Sequence, residues 1–86
     1  MKYDVEISEN AEKFLAKVPK KDRLRIIEKI DALEQNPMPP GSIKLQGYKE
    51  SLYRIRSGDY RVVYSVKKDI LVVLVVEIGH RREIYR

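Results

Sequence analysis

Tyr3, Val5 and Ile7 alternate with Lys2, Asp4 and Glu6, which is the period of a strand that buries one face. Ser8 follows with a hydroxyl suited to cap a helix, and Glu9 stands where a first-turn carboxylate complements the helix dipole. Ala11, Phe14, Leu15 and Val18 then recur at helical spacing until Pro19, which disfavours helical backbone at the residue before it. Leu24, Ile27, Ile30 and Leu33 set a second apolar stripe, with the charges of residues 20–34 on the opposite side. Asn36, Pro37, Pro39, Pro40 and Gly41 break the pattern, because proline removes backbone donors and glycine admits positive φ. This stretch separates a helical half from a sheet half.

Three strand-like runs come next, at residues 52–57, 60–67 and 70–80. Gly58-Asp59 joins the first two as a two-residue loop with glycine in the first central place, as a type II′ hairpin requires. Lys68-Asp69 is expected to join the second and third. The third run lacks strict alternation, which predicts a central strand covered on both faces over much of its length. Residues 43–45 are expected to add a short strand. The sum is an α+β fold of order β-α-α-β-β-β, two N-terminal helices packed on a mostly antiparallel sheet. Its 86 residues form a single domain, since a second core would need more chain.

The hairpin turn also fixes register. Ser57 faces Tyr60, Arg56 faces Arg61, Ile55 faces Val62 and Arg54 faces Val63, so Arg54, Arg56 and Arg61 share one face. Tyr53, Ile55, Val62 and Tyr64 take the other. Like charges directly opposed in a sheet are destabilising, on the scale of the roughly 0.2 to 1 kcal/mol that favourable pairs contribute. An anionic ligand would compensate them; splaying into water or pairing with Glu77 or Glu83 would do so too.

Lys and Arg number 18 against 13 Asp and Glu, a net charge of +5. Residues 1–42 carry eight of each sign, whereas residues 43–86 carry ten basic against five acidic. The whole excess lies in the sheet half, where a polyanion site is to be sought. With no Cys and one His, a disulfide framework or structural zinc site is excluded, and no cofactor is expected. The apolar run at 70–76 is far shorter than the roughly 18 to 20 residues of a membrane span. No signal-like apolar stretch follows Met1, so a cytoplasmic protein without membrane contact is expected.

Gly79-His80-Arg81-Arg82-Glu83-Ile84-Tyr85-Arg86 gathers chemistry at the end of the chain. If the last strand lies beside the hairpin, these groups can converge on the arginine face. Guanidinium forks bind phosphate oxygens bidentately, and an aromatic ring stacks on an unpaired base. Histidine is the side-chain type suited to proton transfer near neutral pH, and His80 is the one this chain has. A surface histidine is the competing reading for that residue, and a core cap for Tyr85.

The run Leu52-Tyr53-Arg54-Ile55-Arg56-Ser57-Gly58-Asp59-Tyr60-Arg61-Val62-Val63-Tyr64, with the Gly79 to Tyr85 ending, resembles the RelE toxins of bacterial and archaeal toxin–antitoxin modules, within the RelE/ParE superfamily. The resemblance covers nearly the whole chain. It implies a ribosome-dependent endoribonuclease, an mRNA interferase that cuts mRNA in the A site and inhibits translation until a cognate antitoxin silences it. It further implies that Arg54 and Arg56 occupy two basic positions, often lysine, that contact RNA and assist proton transfer. Arg61 matches the arginine that holds the scissile phosphate, and Arg81 the second arginine of the site. Tyr85 matches the tyrosine that stacks on a base and orients the 2′-hydroxyl, and His80 a position that is lysine or histidine. Arg82 joins Arg54 and Arg56 as an RNA-binding residue. Arginine in place of lysine at 54 and 56 weakens an acid–base role there, since a guanidinium hardly releases its proton.

No metal is required, because RNA supplies its own 2′-hydroxyl nucleophile, and the acidic residues of the second half are too scattered for a two-metal nuclease. The expected partners are mRNA, the ribosome and an acidic, RelB-like antitoxin that lays a helix or strand along the domain in an oligomeric complex. Exposed apolar residues of the 24–33 stretch could help seat it. A ParE-like inhibitor of DNA gyrase is the alternative on the same fold, and an inactive module that binds antitoxin or RNA is a third reading.

Overall fold

The computed structural model describes residues 2–80. Its elements run β1 (Asp4–Ile7), α1 (Glu9–Lys17), α2 (Lys20–Ala32), β2 (Ile43–Lys44), β3 (Leu52–Ser57), β4 (Tyr60–Lys67) and β5 (Val72–His80). Among the described residues the sheet has the order β1-β5-β4-β3-β2, parallel between β1 and β5 and antiparallel elsewhere. The expected α+β arrangement is present, with β2 as the short strand anticipated at residues 43–45.

Ser8 ties β1, α1 and β5 together. Its Oγ accepts from the Ala11 N–H at 3.1 Å and donates to the Val76 carbonyl at 3.1 Å. Its own N–H donates to the Val75 carbonyl. One hydroxyl thus caps α1 and pins the helix start to β5. The helix stops at Val18, which is extended (ψ 138°) before Pro19, and the Arg23 guanidinium donates to the last α1 carbonyls, Ala16 and Val18.

Helix α2 buries Ile26, Ile30 and Leu33, with Ile27 half-buried, while Leu24 is 55% exposed. The expected stripe of Leu24, Ile27, Ile30 and Leu33 is therefore corrected by one rotational step. The core-facing row is i, i+4, i+7, starting from Ile26, and Leu24 falls on the solvent side. With Ala11, Leu15 and Val18 of α1, these residues pack on Ile55, Val62, Tyr64, Val73, Val75 and Ile78 of the sheet. Each fully buried aliphatic side chain contributes about 1.5 to 3 kcal/mol relative to exposure.

Two departures bear on β5. The link from β4 is not Lys68-Asp69 alone: Lys67 pairs with Val72, leaving a four-residue loop in which Leu71 has φ 54°. A two-residue turn would demand positive φ at Lys68, which no glycine eases; the longer loop needs one left-handed residue. The Leu71 carbonyl then accepts from the Asp4 N–H at 2.9 Å. The second departure is a bulge. Val63 pairs with Glu77 and Tyr64 with Val75, so Val76 is an extra residue and the in–out alternation of β5 inverts across it. This inversion accounts for the missing alternation in the sequence.

Candidate nucleic-acid interface

The hairpin delivers the expected register, with Arg54 opposite Val63, Ile55 opposite Val62, Arg56 opposite Arg61 and Ser57 opposite Tyr60. Gly58 has φ +58° and Asp59 a negative φ, the signature of a turn that needs glycine first. The pair flanking such a turn exchanges hydrogen bonds, so Arg56 and Arg61 form the next, non-bonded pair, with Cα atoms only about 4.5 Å apart. Arg54 shares their face. Arg54 and Arg61 are half-buried and Arg56 is exposed. Two arginine stems face each other, with a third two residues along on the same face, which gathers cations of the kind that bind phosphate oxygens.

His80 is not on this face. Tyr60 pairs with His80 and Val62 with Ile78, so His80 lies with the core-facing side of the sheet. Its ring meets Tyr60 edge-on at 5.3 Å, and Tyr60 in turn meets Phe14 of α1 at 6.3 Å. Uninterrupted alternation from Val73 and Val75 would have put His80 beside the arginines; the bulge at Val76 reverses it. Position 79, opposite Arg61, is glycine. The expected convergence of His80 with Arg54, Arg56 and Arg61 is corrected accordingly. Arg81, Arg82 and Tyr85 lie outside the described residues.

Beside these arginines, a groove of about 320 Å³ opens where β2 ends, between α2 and the edge of β3. Lys29, Arg54 and Arg56 line it together with Pro39, Pro40 and Gly41. Its proline wall is held from below by Tyr64. The Tyr64 hydroxyl donates to the Pro37 carbonyl at 2.8 Å and bonds the Ser42 side chain, gripping the 36–42 loop at both ends. Burial pushes the Tyr64 phenol up to about 12, against a smaller opposing effect of the Ser42 bond. The sequence carried a signal for this latch, since a tyrosine among core valines needs a partner for its hydroxyl. Lys29 carried no such signal, because its neighbourhood depends on where the proline loop folds. Among the described residues no three His, Cys, Asp or Glu side chains are grouped to hold a metal, and no helix is long and apolar enough to cross a membrane.

Residues 5–85 match the family described as ParE toxin of type II toxin-antitoxin system, parDE. The whole chain aligns at 32% identity, over 88 residues and 98% of its relative, with a Methanocaldococcus jannaschii protein named as toxin RelE1. The toxin in the archaeal RelE-RelB complex from Pyrococcus horikoshii OT3 superposes with TM-score 0.83 at 39% identity, covering 94% of this chain and 97% of that one. The intact Escherichia coli RelBE toxin-antitoxin complex matches with TM-score 0.77 at 30% identity, over 91% of this chain and 95% of that one. The chain belongs to the RelE/ParE superfamily, as a RelE-type toxin.

Proposed function

We propose that the chain is a ribosome-dependent endoribonuclease that cuts mRNA in the A site and so arrests translation. The observation that carries this reading is the Arg56–Arg61 pair: two cations in direct opposition with Arg54 on the same face, on the basic half of a RelE-type toxin. An RNA phosphodiester matches the charge of this face and supplies the remaining reactant. In the proposed step the 2′-oxygen attacks phosphorus, the O2′–P bond forms and the P–O5′ bond breaks. The 2′-hydroxyl proton passes to a base and the 5′-oxygen leaves with a proton, giving a 2′,3′-cyclic phosphate and a 5′-hydroxyl.

Arg61, with Arg81, stabilises the charge that builds on the non-bridging oxygens, usually the largest contribution in such reactions. Arg54, Arg56 and Arg82 hold the flanking backbone. Tyr85 stacks on a base and takes the proton-transfer role, because the register directs His80 toward Tyr60 and Phe14 instead. The step uses no metal. A RelB-like antitoxin, such as those in complex with the related toxins, silences the protein by covering this face.

Wild-type protein added to a translating extract is expected to yield mRNA cut within codons, and Arg61→Ala to leave it whole. Arrested translation with intact mRNA, or gyrase-linked DNA breaks in its place, would overturn the proposal in favour of a non-nuclease toxin.

A further inference from the structure

The cleavage step moves two protons, one off the 2′-hydroxyl and one onto the 5′-oxygen, and Tyr85 can serve at one end only. Guanidinium groups hardly release a proton and accept none, and the register turns His80 to the other side of the sheet. Another acid–base group does stand on the arginine face. Arg54 of β3 pairs with Val63 of β4, and Val63 pairs with Glu77 of β5. Residues two apart on a strand share a face, so Glu77 lies on the same side of the sheet as Arg61. Glu77 is exposed, and the β1 ladder stops at Val75, two residues short of it.

The neighbouring row makes room beside it. Arg56 pairs with Arg61, and Arg61 with Gly79, so the place next to Arg61 on β5 carries no side chain. Glu77 and Arg61 are diagonal neighbours across β4 and β5, with backbones about 7 to 8 Å apart, a span that long side chains reach across. Arg54, two strands from Glu77, lies about 9 to 10 Å away. A phosphate held by Arg61 over the Gly79 gap thus has guanidinium groups on one flank and a carboxylate on the other. Glu6 shares this side of the sheet but not this place. It pairs with Leu74, which pairs with Ser65, roughly 13 Å along β4 from Arg61.

We propose that Glu77 is the general base that takes the 2′-hydroxyl proton. The assignment rests on the reading of the chain as an RNA-cutting toxin and names the acceptor that reading leaves open. A Glu77 carboxylate oxygen accepts the proton from O2′, and the O2′ electron pair forms the bond to phosphorus. The P–O5′ bond breaks, and the 5′-oxygen takes a proton from the Tyr85 phenol. Glu77 ends protonated and Tyr85 as phenolate; exchange with solvent restores both. Before the step an ionised carboxylate, which only accepts hydrogen bonds, holds the 2′-hydroxyl as its donor, while Arg61 faces the phosphate oxygens.

Single-turnover cleavage on programmed ribosomes, with full-length protein in saturating excess, tests this. Glu77→Gln keeps the shape and removes the acceptor, and is expected to slow the cut by about 10² to 10⁴-fold with ribosome co-sedimentation unchanged. Glu77→Asp should fall between the two. Glu6→Gln, the same change of charge on the same side of the sheet, should stay within a few-fold of wild type. Without its base, Glu77→Gln should regain rate as hydroxide takes over, by about tenfold per pH unit, so its deficit narrows as pH rises. A residue that only positioned Arg61 would give profiles that run parallel. Normal cutting by Glu77→Gln, equal slowing by Glu77→Gln and Glu6→Gln, or parallel profiles would each overturn the assignment while leaving the nuclease reading in place. mRNA left whole by wild-type protein would sink the nuclease reading, and this role with it.

Discussion

Tyr64→Phe removes one oxygen from the centre of the molecule and tests how the proline loop is held. The Tyr64 ring is fully buried and stacks on Tyr53 at 5.9 Å, so phenylalanine keeps the packing. What is lost is the 2.8 Å bond to the Pro37 carbonyl and the bond with Ser42. At about 0.5 to 1.5 kcal/mol net for each hydrogen bond, with the carbonyl able to find water, the expected cost at pH 8 is about 1 to 2 kcal/mol. In a domain of this size that lowers Tm by roughly 4 to 16 °C.

The same phenol makes the difference depend on pH. Its folded pKa, pushed up to about 12 from 10, means the unfolded chain releases this proton first as pH rises. Tyr64 therefore stabilises fully below pH 10 and loses that contribution as pH climbs toward 12. The loss amounts to about 1.4 kcal/mol at pH 11. Other titrating groups are common to both proteins and cancel in the difference. Urea unfolding at pH 8 and pH 11 should show wild type ahead by about 1 to 2 kcal/mol at the lower pH and the two nearly equal at the higher. Tyrosinate absorbance should show one phenol missing from the folded wild-type titration near pH 10. A stability gap that stays constant between the two pH values would refute this account of the latch, as would no gap at pH 8.

Other outcomes follow from the same geometry. Ser8→Ala should cost about 1 to 2 kcal/mol in chemical unfolding, since it uncaps α1 and frees the Val76 carbonyl. Gly58→Ala should cost about 1 to 2 kcal/mol through its left-handed φ and slow mRNA cutting, because the turn sets the Arg56–Arg61 register; normal cutting would separate the turn from the site. Ile30→Ala should cost about 2 to 5 kcal/mol, whereas Leu24→Ala should stay within about 0.5 kcal/mol. Arg61→Ala should slow single-turnover cleavage by about 10² to 10³-fold, while His80→Gln should slow it only a few-fold, and a collapse equal to that of Arg61→Ala would return His80 to the reacting atoms.

The parts legible in the sequence are those set by local chemistry. Gly58-Asp59 fixes its own register, so the arginine face could be read directly. Ser8 and Pro19 bracket α1 by capping and by steric exclusion. Apolar spacing in α2 allowed two rotations, because Leu24, Ile26 and Ile27 all offer apolar starts; contact with the sheet selects Ile26. The Val76 bulge has no local signature, since valine fits either face of a strand, yet it decides on which side His80 falls. The Lys29 groove depends on how the proline loop folds back over the sheet edge, a long-range contact set by Tyr64 and invisible to spacing along the chain.

In the proposed function this arginine face cuts RNA through the RNA's own 2′-hydroxyl. Purified ribosomes carrying a defined mRNA with an empty A site, treated with the protein, test it through the chemistry of the new ends. The expected result is a single cut in the A-site codon, with a downstream 5′-hydroxyl that accepts label from a kinase without prior phosphatase treatment, and no cut with Arg61→Ala. Intact mRNA under the same conditions, or downstream ends bearing a 5′-phosphate, would contradict it.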